Sequence, residues 1–252
     1  MRMMDRLFRK SAAGTAKNAA IPEGKRIYAI GDIHGRNDML EELIALIDDD
    51  LDGAQEGQII FLGDYVDRGP DSRGVIDRLI SLGKTRPNTV FLKGNHEEIM
   101  LEFLDEPEDL PHWLEWGGEE TLESYDVDPV GYDKAALAER FLKTAPKTHL
   151  EFLKSLKLTH IEGDYLFVHA GLRPGTPLEE QAEADLLWIR KRFYNASPEE
   201  RPDHVVVHGH TPLDKPEDAG WRICVDTGAC YGGMLTAVVL EGTSRRFISV
   251  ED

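Results

Sequence analysis

The chain has 252 residues, and with domains averaging about 150 residues this length implies one large or two small domains. Hydrophobic residues make up 41% and charged residues 30%, the balance of a globular chain with enough apolar side chains to bury a core. Against 29 basic residues stand 47 acidic ones, a formal charge of −18, which argues against nucleic acid held on a general cationic surface. An anionic substrate must instead meet a local positive centre, and bound metal is one way to build it. Cys224 and Cys230 are too few for a disulfide framework and lack zinc-ligand spacing, so they read as two free thiols in a reducing compartment.

No run approaches the ~18 apolar residues of a membrane span. The start, MRMMDRLFRKSAAGTAKNAA, is basic and rich in Ala and Ser but lacks the apolar core of a secretory signal. Residues 1–24 therefore read as a poorly ordered tail ending at Pro22 and Gly24, residues 25–252 as a single domain, and the protein as cytoplasmic. RIYAIG (26–31), QIIFLG (58–63) and NTVFLKG (88–94) are compact apolar runs that stop at glycine, the pattern of buried strands. Between the first two, Met39, Leu40, Leu43, Ile44 and Ile47 recur at helical spacing behind Asn37 and Asp38, which can cap a helix. Val75, Ile76, Leu79 and Ile80 repeat the pattern behind Ser72. Strand–helix–strand–helix–strand is the signature of parallel α/β packing.

Residues 97–160 read as helical and acidic. Strands return at 164–171, 203–211, 221–228, 234–242 and 246–251, joined by short turns that imply a mainly antiparallel or mixed sheet. The earlier strands end in polar clusters: GDIHG (31–35), GDYVDRG (63–69), GNHE (94–97), HAG (169–171) and GHT (209–211). Sites in α/β folds lie beyond the carboxyl ends of strands, so clusters far apart in sequence converge there.

Together they offer Asp32, His34, Asp64, Asn95, His169 and His210, all nitrogen or oxygen donors and none a thiolate. That set suits two divalent ions such as manganese, iron or zinc, with one carboxylate bridging. Two divalent cations outweigh two aspartates, so the site would attract a phosphate dianion, and a hydroxide between the metals would be the nucleophile. Arg68 and, with less motif support, Arg190 in LLWIRKRF can grip phosphate oxygens bidentately. His96 follows Asn95 and can protonate a leaving oxygen, with Asp67 orienting its imidazole.

GDIHG, GDYVDRG and GNHE, in this order, resemble the three-part signature of the phosphoprotein phosphatase family of metallophosphoesterases, and VHAG and GHT match its later histidine motifs. The resemblance spans about residues 26–240 and is strongest to the small bacterial and bacteriophage lambda-type Ser/Thr protein phosphatases, although HAG stands where the eukaryotic enzymes commonly have HGG. It implies an α/β/β/α sandwich with two mixed central sheets flanked by helices and the dimetal site at the strand ends. It also implies Asp32 and His34 on one metal, Asp64 bridging, and Asn95, His169 and His210 on the second. His96 would be the general acid paired with Asp67, Arg68 and Arg190 with Asn95 would contact the substrate phosphate, and manganese would be the usual ion.

Other polar residues read more plainly. His112, His149, His160 and His204 stand outside any motif and read as surface or satisfied side chains. His208 shares a strand face with His210 and is either a partner of that ligand or a core residue. Asp226 and Tyr231 read as a turn, or as a rim loop at the substrate entrance. Trp113 and Trp116, with Gly117 and Gly118, read as a packed helical corner or as part of the same rim, and Glu119, Glu120 and Glu123 as a solvated helix face.

The implied activity is hydrolysis of phosphoserine or phosphothreonine in phosphoproteins or phosphopeptides, by in-line attack of the metal-bridging hydroxide. The alternative is a nucleotide hydrolase such as a symmetrical dinucleoside tetraphosphatase; those enzymes usually lack the aspartate corresponding to Asp67 and read GNHD where this chain has GNHE. A non-catalytic phosphate-binding module would have a broken site, and here every ligand and the acid are present. Neither nucleic acid nor membrane is an expected partner.

Overall fold

A computed structural model describes residues 18–51, 56–108 and 112–252. Three strands near the N-terminus, β1 (Lys25–Ile30), β2 (Glu56–Phe61) and β3 (Val90–Phe91), pair in parallel. They are connected by α1 (Asn37–Asp50) and α2 (Ser72–Thr85), as the alternating pattern predicts. The helix caps differ from expectation. Asp71 rather than Ser72 caps α2, accepting the Gly74 N–H at 2.8 Å, while the Ser72 hydroxyl turns to the Asp67 N–H. Neither Asn37 nor Asp38 caps α1: the Asn37 amide bonds Asp71, and Asp38 pairs with Arg36.

Residues 95–154 carry α3 (Asn95–Asp105), α4 (Glu119–Ser124), α5 (Lys134–Thr144) and α6 (Lys147–Lys154), with a π-type turn over Leu114–Gly118. The helical reading stops short of residue 160, because β4 (Thr159–Glu162) folds back antiparallel on β5 (Tyr165–Val168). Short helices α7 (Glu183–Trp188) and α8 (Lys191–Tyr194) precede β6 (Val205–His208), β7 (Glu217–Asp218), β8 (Arg222–Cys224) and β9 (Asp226–Thr227). The hairpin of β10 (Met234–Glu241) and β11 (Ser244–Glu251) ends the chain.

The strands form two mixed sheets, ordered β11-β10-β1-β2-β3 with β9 beside β10, and β4-β5-β6-β8-β7. Alternation along the strands builds the layers. Ile27, Ala29, Ile60 and Leu62 point between the sheets toward Tyr165, Phe167, Val207 and Ile223. Tyr28, Ile30, Ile59 and Phe61 point the other way into α1, α2 and α3, while Leu166, Val168 and Val206 meet α7 and α8 residues such as Leu186 and Phe193. The result is the expected α/β/β/α sandwich, a metallophosphoesterase-type fold, and no helix among the described residues is long and apolar enough to cross a membrane.

Of the expected N-terminal tail, residues 1–17 lie outside the described residues. Within residues 18–24, Asn18, Pro22, Glu23 and Gly24 are exposed, whereas Ile21 is anchored. Ile21 is buried in the inter-sheet core, its N–H donates to the Gly242 carbonyl at 2.8 Å, and Ala20 exchanges bonds with Asp164. Ile21, four residues before β1, docks because its apolar side chain joins that core.

At the far end of β1 from the site, the Tyr28 hydroxyl donates to Asp50 Oδ2 at 2.6 Å, and Arg26 and Arg246 surround the same carboxylate. Burial pushes the Tyr28 hydroxyl up to about 12, and the hydroxyl and guanidinium donors outweigh burial to hold Asp50 below its usual value. A group with a lowered folded value stabilises the fold above its unfolded value and loses that contribution as pH falls through the folded one. Asp50→Ala is therefore expected to cost about 1–3 kcal/mol at pH 7, with the difference from wild type shrinking at pH 3. Urea midpoints at the two pH values check this, and an equal gap at both would contradict it.

Candidate active site

Each sequence-predicted ligand leaves a strand end or opens a helix, and the structure brings all of them together. Asp32 and His34 follow β1, Asp64, Asp67 and Arg68 follow β2, and Asn95 and His96 begin α3. His169 follows β5 and His210 follows β6, so both sheets contribute from their carboxyl ends. Asp32, His34, Asp64, Asp67, Asn95, His96, His169 and His210 are all buried.

The backbone is bent into unusual conformations at this point. His34, Asp64, Asp67, Arg68 and His210 all have left-handed φ, and Asp126 is the one other such non-glycine among the described residues. Such strain persists where surrounding bonds over-determine it. Here the Ile33 and His34 N–H groups both donate to the Asp64 carbonyl, and Gly209 donates to that of His169. Glu97, fully buried, accepts from the Asp64, Tyr65 and Gly94 N–H groups at 2.9, 2.7 and 2.8 Å. Gly94 and Gly209 are required by close approach: a Cβ would strike Asp64 Oδ1 at one and Asp32 Oδ1 at the other.

The ring nitrogens show what the cluster is built to hold. His34 Nδ1 lies 2.8 Å from the Val66 carbonyl and His169 Nδ1 lies 2.9 Å from that of Leu62, so each Nδ1 carries the proton and donates it. Each Nε2 is then a bare lone pair. That of His169 faces Asn95 Oδ1 at 2.9 Å, two acceptors against one another, while that of His34 lies 3.4 Å from Asp64 Oδ2 and accepts from the Arg68 guanidinium at 2.5 Å. His210 Nε2 is buried without a hydrogen-bond partner. Lone pairs converging on lone pairs and carboxylates call for cations. His34, Asp64 and His96 form one set of donor atoms within 4.8 Å of each other, and Asp64, His169 and His210 form a second around the shared Asp64. His96 is given over to Asp67 and to proton donation, so His34, Asp64 and the neighbouring Asp32 would hold one divalent ion and Asp64, His169 and His210 the other.

Electrostatics agree. Burial, with the charges of Asp226 and Asp64, pushes Asp32 well above the carboxylate range, whereas Asp64 is held below it, against its own burial, with the charged His96 beside it. Burial drives His34 and His169 down and His210 down to about 2, so these rings are neutral ligands. His96 differs. Burial alone would lower it, but Asp64 and the hydrogen bond to Asp67 raise it, which favours a ring carrying both protons. His96 Nδ1 lies 2.6 Å from Asp67 Oδ2, so Nε2 is the atom that can offer a proton outward.

Arg68 and Arg190 line a cavity of about 90 Å³ with His34, His210 and Asp226. Arg68, Cys230 and Tyr231 continue into an open cavity of about 560 Å³ walled by Trp116, Glu115, Glu119 and Glu120. Glu119 and Glu120, read as a solvated helix face, thus border the approach to the site. Asp226 is no rim residue: it is buried beside Asp32, lines the inner cavity and is raised to about 6, chiefly by burial. Tyr231 does stand at the rim, 62% exposed, with the Arg68 guanidinium 5.5 Å from its ring.

His208 lies edge-on to Phe193 and Tyr194, with its Nδ1 at 3.0 Å from the Gly209 carbonyl, so the described contacts place it in the core beside α8. His149 is a satisfied core residue between Tyr125 and Asp77. Glu97 escaped the sequence reading, although a glutamate three residues after Gly94 has capping-box spacing that could have revealed it. Glu97→Gln would aim an NH₂ at backbone donors. An expected loss of about 2–3 kcal/mol in stability, accompanied by weaker metal binding, is readable by thermal melting and metal titration. Unchanged metal affinity would separate Glu97 from the site's geometry.

Comparisons with known proteins agree with this geometry. The chain is 26% identical over 229 residues to bis(5'-nucleosyl)-tetraphosphatase PrpE [asymmetrical] of Bacillus mycoides, covering 83% of this chain and 88% of that one. It is 28% identical over 220 residues to serine/threonine-protein phosphatase 1 of Salmonella typhimurium, covering 86% and 93%. A crystal structure provisionally described as a diadenosine tetraphosphatase superposes with a TM-score of 0.63 at 24% identity, over 92% of this chain and 98% of that one. The calcineurin-like phosphoesterase (Metallophos) family matches residues 25–233, and the chain belongs to that family of metal-dependent phosphoester hydrolases.

Proposed function

We propose that the protein removes phosphate from phosphoserine and phosphothreonine in proteins, with manganese as its working ion. The observation that carries this reading is the wall of the open cavity. Glu115 and Glu119 are exposed and Glu120 half-exposed beside Arg68, so the approach is acidic on a chain of net charge −18. A polyphosphate bridge would carry several negative charges past that wall, whereas a phosphorylated side chain enters with one phosphate and a peptide free to bring cations.

Bound divalent ions supply Lewis-acid polarisation of the phosphoryl group and an activated water at neutral pH. Asp32, His34, Asp64, Asn95, His169 and His210 would hold them. Arg68 and Arg190 both line the inner cavity and can grip the phosphate oxygens there. His96 gives its Nε2 proton to the departing serine or threonine oxygen, while Asp67 at 2.6 Å holds the ring in place.

The second reading, a dinucleoside polyphosphate hydrolase, is favoured by the name of the Bacillus relative and by exposed Trp116 and Tyr231, whose faces suit a purine base. Steady-state hydrolysis with manganese, comparing a phosphothreonine peptide with diadenosine tetraphosphate, decides between them. A larger kcat/KM on the peptide is expected, and preference for the dinucleotide would move the substrate to nucleotides with the metal site intact. Chelation is expected to abolish activity and manganese to restore it; activity surviving complete metal removal would contradict both readings.

A further inference from the structure

Asp67 is held by more than His96. Trp113, fully buried against Phe103, aims its indole N–H at both carboxylate oxygens of Asp67, 3.2 Å from Oδ1 and 3.0 Å from Oδ2. The Thr121 hydroxyl donates to Oδ1 at 2.7 Å and accepts the Asp67 backbone N–H at 2.8 Å. Indole is only a donor, and the hydroxyl has a single proton to give, so all three side chains, His96 included, donate to the carboxylate. The next peptide is held from the same segment: the Arg68 N–H donates to the Gly117 carbonyl at 3.1 Å. Asp67 and Arg68 both have left-handed φ, 72° and 69°, so the residues gripped are among those whose backbone departs most from its ordinary preference.

We propose that Trp113 and Thr121 are positioning residues for proton transfer, acting through Asp67 on His96. Two donors on one carboxylate set its rotation about the Cβ–Cγ bond, which directs Oδ2 at His96 Nδ1 and thereby fixes the tautomer and aim of the imidazole. The segment that carries them, Trp113 through Thr121, also forms the Glu115, Trp116, Gly117, Glu119 and Glu120 side of the open cavity. A single stretch of chain thus shapes the entrance on its outer face and orients the proton donor on its inner one. The inference rests on the acid role of His96 and is independent of which phosphoester is the natural substrate.

The test compares phenyl phosphate, whose leaving group needs a proton, with p-nitrophenyl phosphate, which needs little. Trp113→Phe keeps the ring and removes the N–H; it is expected to lower kcat on phenyl phosphate about tenfold more than on p-nitrophenyl phosphate. Thr121→Val is expected to show the same selective loss, and Thr121→Ser, which keeps the hydroxyl, to restore the wild-type ratio. Adding Trp113→Phe to His96→Asn should change the ratio no further, because both act through one group. Equal losses on the two substrates in Trp113→Phe and Thr121→Val, with a selective loss in His96→Asn, would overturn the positioning role alone. A uniform loss in His96→Asn as well would instead remove the acid role. Should Trp113→Phe fail to fold, the Thr121→Val and Thr121→Ser pair decides the matter.

Discussion

The concentration of buried carboxylates at the strand ends is the constraint on which the rest depends. Asp32, Asp64 and Asp226 approach one another out of contact with water, and like charges so placed repel strongly. Neutral histidine rings whose Nδ1 protons are committed to backbone carbonyls surround them and turn lone pairs inward. Such a cluster is poised for cations, and its cost to the empty fold is repaid on binding. A chain with a surplus of acidic residues thereby acquires a positive centre at one point.

Holding that cluster needs rigid backbone. Parallel strands stop at Asp32 and Asp64, left-handed residues turn the chain back, and glycines without a Cβ let Asp64 and Asp32 lie against Gly94 and Gly209. Glu97 then ties the β2 loop to the first turn of α3, joining the segment that bears Asp64 and Asp67 to the one that bears Asn95 and His96. Strain at the site is balanced by ordinary packing elsewhere, in the two apolar layers on either side of the first sheet.

The site divides into parts of different character. Metal donors lie at the sheet ends, where the fold itself dictates their placement. The proton-donating pair of His96 and Asp67 lies beside them and is braced by Trp113 and Thr121. Residues that meet substrate, Trp116, Glu119, Glu120 and Tyr231, sit on connecting segments around the opening. This arrangement explains how relatives with related chemistry carry names for different substrates: the rim can change while the sheet ends stay as they are.

The alternation of strand and helix, the polar clusters at the strand ends and the nitrogen and oxygen donors they carry are legible in the sequence. The physical reason is that strand burial, glycine turns and donor chemistry are all written within a few neighbouring residues. Helix caps were less legible, since Asp71 and Ser72 compete locally, and the Ser72 hydroxyl is drawn away to the Asp67 N–H, leaving Asp71 to cap α2. Only the packed structure shows that Ile21 joins the inter-sheet core, that Asp226 lies beside Asp32, and that His208 belongs beside α8. It alone also decided that Trp113 and Thr121, 46 and 54 residues from Asp67, close on its carboxylate. Contacts of that separation leave no periodic trace in a single sequence, because they arise only when independent elements pack and a buried donor must find its acceptor.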